Sequence, residues 1–203
     1  MAKAAASSAE RETFHHGDTR RAAIAAARAI VDASGHQSLT LRGVAEQIGV
    51  NHRALYRQFA SLEDLLCEVA ATGFDELAVR LEEITAAAGG DRAGQLAAVY
   101  ARFAVDHIHL YTLMFALPLR DHFRSDGGIG PPLRRVVKAA AAALRDGRTN
   151  EDAIKTAVLR IWGLAHGMMG LYVAGALRAR SKADAVALIA SGAGRLAPES
   201  GRN

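Results

Sequence analysis

The chain carries almost no cysteine, few aromatic rings and no proline in its first half, and each shortage removes a class of protein. A single thiol, Cys67, cannot close an intramolecular disulfide, so a small stapled secreted scaffold is excluded. Nothing at the N-terminus has the charged, apolar and small-residue order of a signal peptide, and the expected location is cytoplasmic. Cys67 falls beside Leu66 and Ala70 on the apolar side of a helical pattern, where an inert buried thiol is expected. Aromatic residues make up only 5% of the chain while 50% is hydrophobic, so the core must be built from Ala, Leu, Val and Ile. All four prolines lie at or after Pro118 and no stretch alternates β-branched with polar residues, which leaves an all-α fold.

The usual signatures of chemistry are missing as well. There is no glycine-rich phosphate loop of the usual spacing and no nucleophile elbow. Asp106, His107 and His166 are scattered titratable groups, so no catalytic residue is assigned. His15 and His16 are adjacent, and His107 and His109 project about 200° apart on a helix, so neither pair chelates from one face and neither a metal nor a cofactor is expected. The uncharged run at residues 161–177, IWGLAHGMMGLYVAGAL, is at the lower edge of a membrane span. Its glycines and His166 lower its apolarity and no second such segment accompanies it, so no membrane partner is expected. A soluble helix apolar on all sides is expected to be buried on all sides, by its own core and by a second subunit.

What is present is a compact pattern at residues 40–59. The net charge of +4 and the pI of about 9.6 permit a nucleic-acid partner without requiring one. Locally the balance is sharper, with Arg42, Arg53 and Arg57 against Glu46 alone. Thr40 is an N-cap for a helix over 41–48, in which Val44 and Ile48 share a face and Ala45 leaves room for a neighbour. Gly49 stands where a turn needs a left-handed residue, and Val50 fills the space between helices. Asn51 caps a second helix whose Leu55 and Phe59 face the same interior. His52, Arg53, Tyr56 and Arg57 are left on the outer face, the arrangement of a helix-turn-helix. An ordinary helical hairpin shows the same apolar spacing.

The order LTLRGVAEQIGVNHRALYRQF closely resembles the DNA-binding helices of the TetR (tetracycline-repressor) family of transcriptional regulators, near LTxRxVAxxxGVSxxxLYxHF. Leu39-Thr40, Val44-Ala45, Gly49-Val50 and Leu55-Tyr56 carry the match. His15-His16-Gly17-Asp18 resembles the lead-in of one subgroup, as do 109–121 (HLYTLMFALPLRD) and Trp162, His166 and Gly167 further on. Gln58 stands where the family usually has His, and Leu62 where a Lys commonly touches a phosphate, which removes one cation per half-site. The resemblance implies an N-terminal three-helix DNA-binding domain and a C-terminal helical domain that binds a ligand and dimerises.

The rest of the chain is read around that head. Residues 1–13 are a disordered tail, 14–66 the DNA-binding domain, 67–195 the ligand-binding and dimerisation domain, and 196–203 a flexible tail. A first helix runs from a cap at Asp18 to Gly35, with Ile24, Ala27, Ile30 and Val31 on one stripe. Ser61 and Asp64 form a capping box that opens a connector helix to about Ala88. Further helices are expected over 95–115, broken by Pro118, over 133–145, from Asn150 through 177, and over 182–192, with a flexible loop at 125–132. Arg134, Arg135 and Lys138 read as a solvated basic face.

Base contacts are assigned to Arg53, with Arg42 and His52 as weaker candidates, because Arg bridges guanine O6 and N7 in the major groove. Thr40, Asn51, Tyr56 and Arg57 are assigned to phosphates. Phe103, His107, Met114, Phe115, Trp162, His166 and Met169 are candidates for a small-molecule cavity, or for plain core. Gly163, Gly167 and Gly170 are spaced to let two backbones approach in a homodimer. The expected function is a ligand-responsive repressor that binds a palindromic operator as a dimer and is released by a small hydrophobic effector. The alternative class is a helical enzyme or membrane-associated helical protein, and only the regulator expects duplex binding to fall steeply with salt.

Overall fold

The computed structural model describes residues 16–84, 90–116, 124–125 and 128–196. The expected tail at 1–13, that at 196–203 apart from Leu196, His15 and Pro118 lie outside the described residues; Leu196 ends a 3₁₀ turn. Nine α-helices are seen among the described residues: α1 His16–Ser34, α2 Leu41–Gln47, α3 His52–Tyr56, α4 Leu62–Glu82, α5 Arg92–Asp106, α6 Ile108–Met114, α7 Pro131–Leu144, α8 Glu151–Val173 and α9 Lys182–Ala193. Short 3₁₀ turns occupy His36–Ser38 and Gly194–Leu196. Among the described residues the fold is all-α apart from a two-residue antiparallel ribbon, Arg124–Ser125 with Gly128–Ile129, which overlaps the expected 125–132 loop.

Local chemistry accounts for most of the helix starts. Thr40, Asn51, Ser61, Asp91, Asn150 and Ser181 each accept a backbone N–H in the first turn of the helix they precede. Asp64 does not return the bond to its own cap. Its carboxylate accepts from the amide of Ala60, one residue further back. Gly35 and Gly49 have φ of 79° and 72°, so the turns after α1 and α2 occupy the left-handed region that favours glycine.

Several boundaries differ from the sequence reading, among them the ends of α3 at Tyr56, before Phe59, and of α8 at Val173, short of 177. Helix α1 begins at His16, which places Asp18 inside its first turn instead of at the cap. Helix α4 is capped at Glu83, short of Ala88. The expected 95–115 helix is two helices, because His107 leaves helical geometry at φ −122°, ψ 50°.

The core is continuous from Ala23 in α1 to Ala193 in α9. Helix α4 runs unbroken past residue 66, so head and body share one rod. Helices α6 and α7 pack on α4, and α5 packs against α8 and α9. Gly73 lets α6 pack closely on α4, since a Cβ there would lie 2.6 Å from Met114 Sδ and 2.8 Å from Leu110 Cδ2 and force those side chains to shift. Helix α8 is not buried on all sides within one chain. Leu159, Leu171 and Val173 are about half exposed, and a Cβ on Gly163, Gly167 or Gly170 would meet nothing within 4 Å.

Candidate functional site

Two sites are built at opposite ends of α4. At its N-terminal end the head is held by Leu39, Leu41, Val44, Ala45, Leu55 and Phe59, all buried, while Ile48 and Val50 are half-buried. Arg20 of α1 secures the far end of α3. Its guanidinium donates to the Gln58 carbonyl, pairs with Glu68 and lies 4.6 Å from the centroid of the Phe59 ring. Helix α3 is thereby fixed with His52, Arg53, Tyr56 and Arg57 exposed, Tyr56 at 60%.

The two capping side chains each keep a donor. Thr40 Oγ1 accepts from Gly43 N at 3.0 Å and has its own O–H to give, and Asn51 Oδ1 accepts from Arg53 N at 2.9 Å while its amide N–H groups remain. Arg42 is exposed and joined to Glu46 at 2.9 Å, so it belongs to α2 and stands apart from the α3 row. Leu62 is half-buried at the start of α4 and packs on the core, so hydrophobic contact takes the place of a phosphate-binding cation there.

The C-terminal candidates separate into three groups. Trp162 and His166 come together on α8, with ring centroids 6.3 Å apart, and Phe115 stacks edge-on to His166 at 4.5 Å. His166 Nδ1 lies 2.9 Å from the Tyr100 hydroxyl and 2.8 Å from that of Tyr111, and the two hydroxyls are 3.4 Å apart. The indole N–H of Trp162, a donor only, works against burial by lowering the Tyr100 phenol. Burial pushes the Tyr111 phenol up to about 12 and that of Tyr100 well above its ordinary value, where the charge of Tyr111 would add to the effect. Burial likewise holds His166 below the usual imidazole value. The chain of polar tips is therefore neutral near pH 7.

Phe103, Met114 and Met169 form the second group and are plain core, at 0%, 3% and 0% exposure. His107 forms the third. It does not join His166. It sits at the α5–α6 break, with Nδ1 3.4 Å from Arg28 of α1 and Nε2 3.2 Å from Arg80 of α4. Glu76 pairs with both arginines, at 3.0 and 2.6 Å. Burial alone would raise the Glu76 carboxyl, but hydrogen bonds from Arg28 and Arg80 outweigh it and hold the group below its ordinary value. This polar hub joins the head, the connector and the body at one point.

An apolar cleft opens beside Trp162. Leu96, Ala97 and Tyr100 of α5, Val136 and Ala140 of α7, and Val158 of α8 are among its walls. The space within it open to the centre of a water-sized sphere is about 40 Å³. That holds a few waters at most, whereas small-molecule sites run to roughly 300–1,000 Å³, so a ligand has to part the helices. Tyr100, Tyr111 and the hub arginines were not candidates in the sequence reading, and only a map of contacts between distant helices reveals them. Cys67 is half-exposed, and burial together with Glu63, Asp64 and Glu68 pushes its thiol up to about 11, which leaves it unreactive. Arg135 of the basic cluster is paired with Asp75 and Glu82 on the surface. No helix among the described residues is long and apolar enough to cross a membrane.

Two family models match along the chain. Residues 23–69 match the model of bacterial regulatory proteins of the tetR family, and 94–193 match that of the tetracyclin repressor-like C-terminal domain. The chain is 28% identical over 165 residues to the uncharacterized HTH-type transcriptional regulator Rv0681 of Mycobacterium tuberculosis, spanning 78% of this chain and 72% of that protein. Among solved structures it resembles a protein of unknown function from Rhodococcus sp. RHA1, with TM-score 0.66, 24% identity, and 93% and 100% of the two chains covered. A TetR variant from Acinetobacter baumannii AYE in complex with minocycline has the same fold, with TM-score 0.60, 19% identity, and 89% and 92% covered. With a helix-turn-helix head matching one of the family's models and a helical body matching the other, the chain belongs to the TetR family of transcriptional regulators.

Proposed function

We propose that this regulator is a cytoplasmic homodimeric repressor that binds a palindromic operator and is released by a small apolar effector. The observation that carries the reading is the exposed α3 row. Arg53 and His52 offer donors to base edges, while Thr40, Asn51, Tyr56 and Arg57 surround them with donors for phosphates. Arg42 is a second base-reading candidate once it leaves Glu46. A five-residue reading helix makes few base contacts, so two heads held about 34 Å apart are needed for useful specificity. The open stripe of Leu159, Gly163, Gly167, Gly170 and Leu171 on α8, with Leu188 of α9, supplies an apolar face for a second copy.

The effector site in this reading is the cleft beside Trp162 and His166, by analogy with the minocycline-bound relative. Parting the cleft acts on Tyr111, one turn along α6 from His107, whose ring contacts Arg28 of the head. The ligand releases DNA only to the extent that it prefers the conformation whose heads are misplaced. The test is duplex binding against salt. Affinity for random-sequence duplex is expected to fall linearly in log–log form, and Arg57→Ala to make the slope shallower. Retention independent of salt, or an unchanged slope, contradicts the DNA-binding surface.

A further inference from the structure

The lining of the cleft is chemically one-sided. Among the described residues its walls on α4, α5, α7 and α8 carry no acidic or basic side chain. The polar atoms there belong to Tyr100 and Trp162, and the Tyr100 hydroxyl is bonded on to Tyr111 and His166. Each member of that chain is uncharged: the phenols are held above their ordinary range and the imidazole below it, by burial. A buried carboxylate or ammonium would enter with no counter-charge and would lose its hydration without compensation.

His166 is bonded to Tyr100 without being one of the cleft's walls. Nδ1 faces two tyrosine hydroxyls, and a neutral ring that accepts there carries its proton on Nε2. Among the described residues no buried polar side-chain atom lacks a partner. Nε2 has no partner in the hydrogen-bonded chain, so it reaches accessible space. Trp162 Nε1, on the cleft wall itself, is a donor for a ligand acceptor.

From this we infer that the effector is an uncharged molecule, an apolar body bearing one hydrogen-bonding oxygen, and that the cleft rejects both carboxylates and ammonium ions of the same shape. The inference rests on the cleft being the sensing site, and it adds the chemical class. The oxygen meets the Trp162–Tyr100 pair while the apolar body parts α7 from α5 and α8.

Trp162 is the only tryptophan in the chain, so emission excited selectively at tryptophan, away from the tyrosines, reports this cleft alone. Octan-1-ol, octanoate and octylammonium share a chain length and differ in charge. Titrated into the intact protein at pH 8, octan-1-ol is expected to shift Trp162 emission and raise Tm, with a Kd at least tenfold below that of either ion. Val137→Lys places a cation in the half-buried wall of the cleft and is expected to bring octanoate to parity with octan-1-ol or better. Octanoate or octylammonium binding the wild type as tightly as octan-1-ol overturns the chemical class and leaves the cleft as the sensing site. No emission change with any of the three removes the cleft itself, and the inference with it.

Discussion

Gly167→Leu separates the interface from the fold. In the single chain a Cβ at 167 meets nothing within 4 Å, so the leucine side chain extends into open space and the monomer is not strained. Replacing a mid-helix glycine also favours α8 by about 0.8 kcal/mol on intrinsic propensity alone. The monomer is therefore expected to keep or gain stability. In a dimer built on this stripe, each copy instead places a leucine where two backbones meet. Overpacking costs about 1–3 kcal/mol per site, and two-fold symmetry doubles it to roughly 2–6 kcal/mol. At 1.4 kcal/mol per factor of ten, the dimer Kd is expected to rise by about 30-fold to more than 10⁴-fold. Sedimentation equilibrium of wild type and variant over a concentration series reads this directly, with circular dichroism as the check on helix content. A variant that stays dimeric at the wild-type affinity, with α8 intact, refutes the placement of the interface on Gly163, Gly167 and Gly170.

Other substitutions test the remaining sites. Arg53→Ala is expected to relax preference at one position of each half-site, at about 1–3 kcal/mol, while Tyr56→Phe weakens all sequences alike; selection of binding sites with each variant distinguishes them. Leu55→Ala empties a fully buried position between α2 and α3 and is expected to cost about 2–5 kcal/mol, seen as a lower Tm. For His166 the folded value lies below the unfolded one, so as pH falls the unfolded chain takes up the proton first. Its contribution to stability is thus full above about pH 6.5 and is lost as pH falls through the folded value, and the His166→Asn profile of Tm against pH should be flatter over that window.

Much of the head was legible because its signals are local. A cap at Thr40 or Asn51 acts over two or three residues, the turn at Gly49 over one, and the Leu55 and Phe59 spacing over four. Short-range patterns of this kind survive in one dimension. The hub was not legible, since Arg28 of α1, Glu76 and Arg80 of α4, and His107 at the α5–α6 break are separated by tens of residues. The break at His107 followed from that: its sequence context has no glycine or proline, and its distorted backbone accompanies side-chain contacts to α1 and α4. Tyr100 and Tyr111 were overlooked for the same reason, although His166, their common partner, stood out. Bulk and polarity alone did not distinguish Met169 and Phe103, which are core, from Trp162, which borders the cleft.

The central claim is that two copies of the α3 row read an operator together, and selection from a random duplex library tests it most directly. Full-length protein at physiological salt is expected to enrich an inverted repeat whose half-sites are centred about one helical turn, roughly 34 Å, apart or a multiple of it. Enrichment of no sequence, or of a lone half-site with no two-fold partner, contradicts the account.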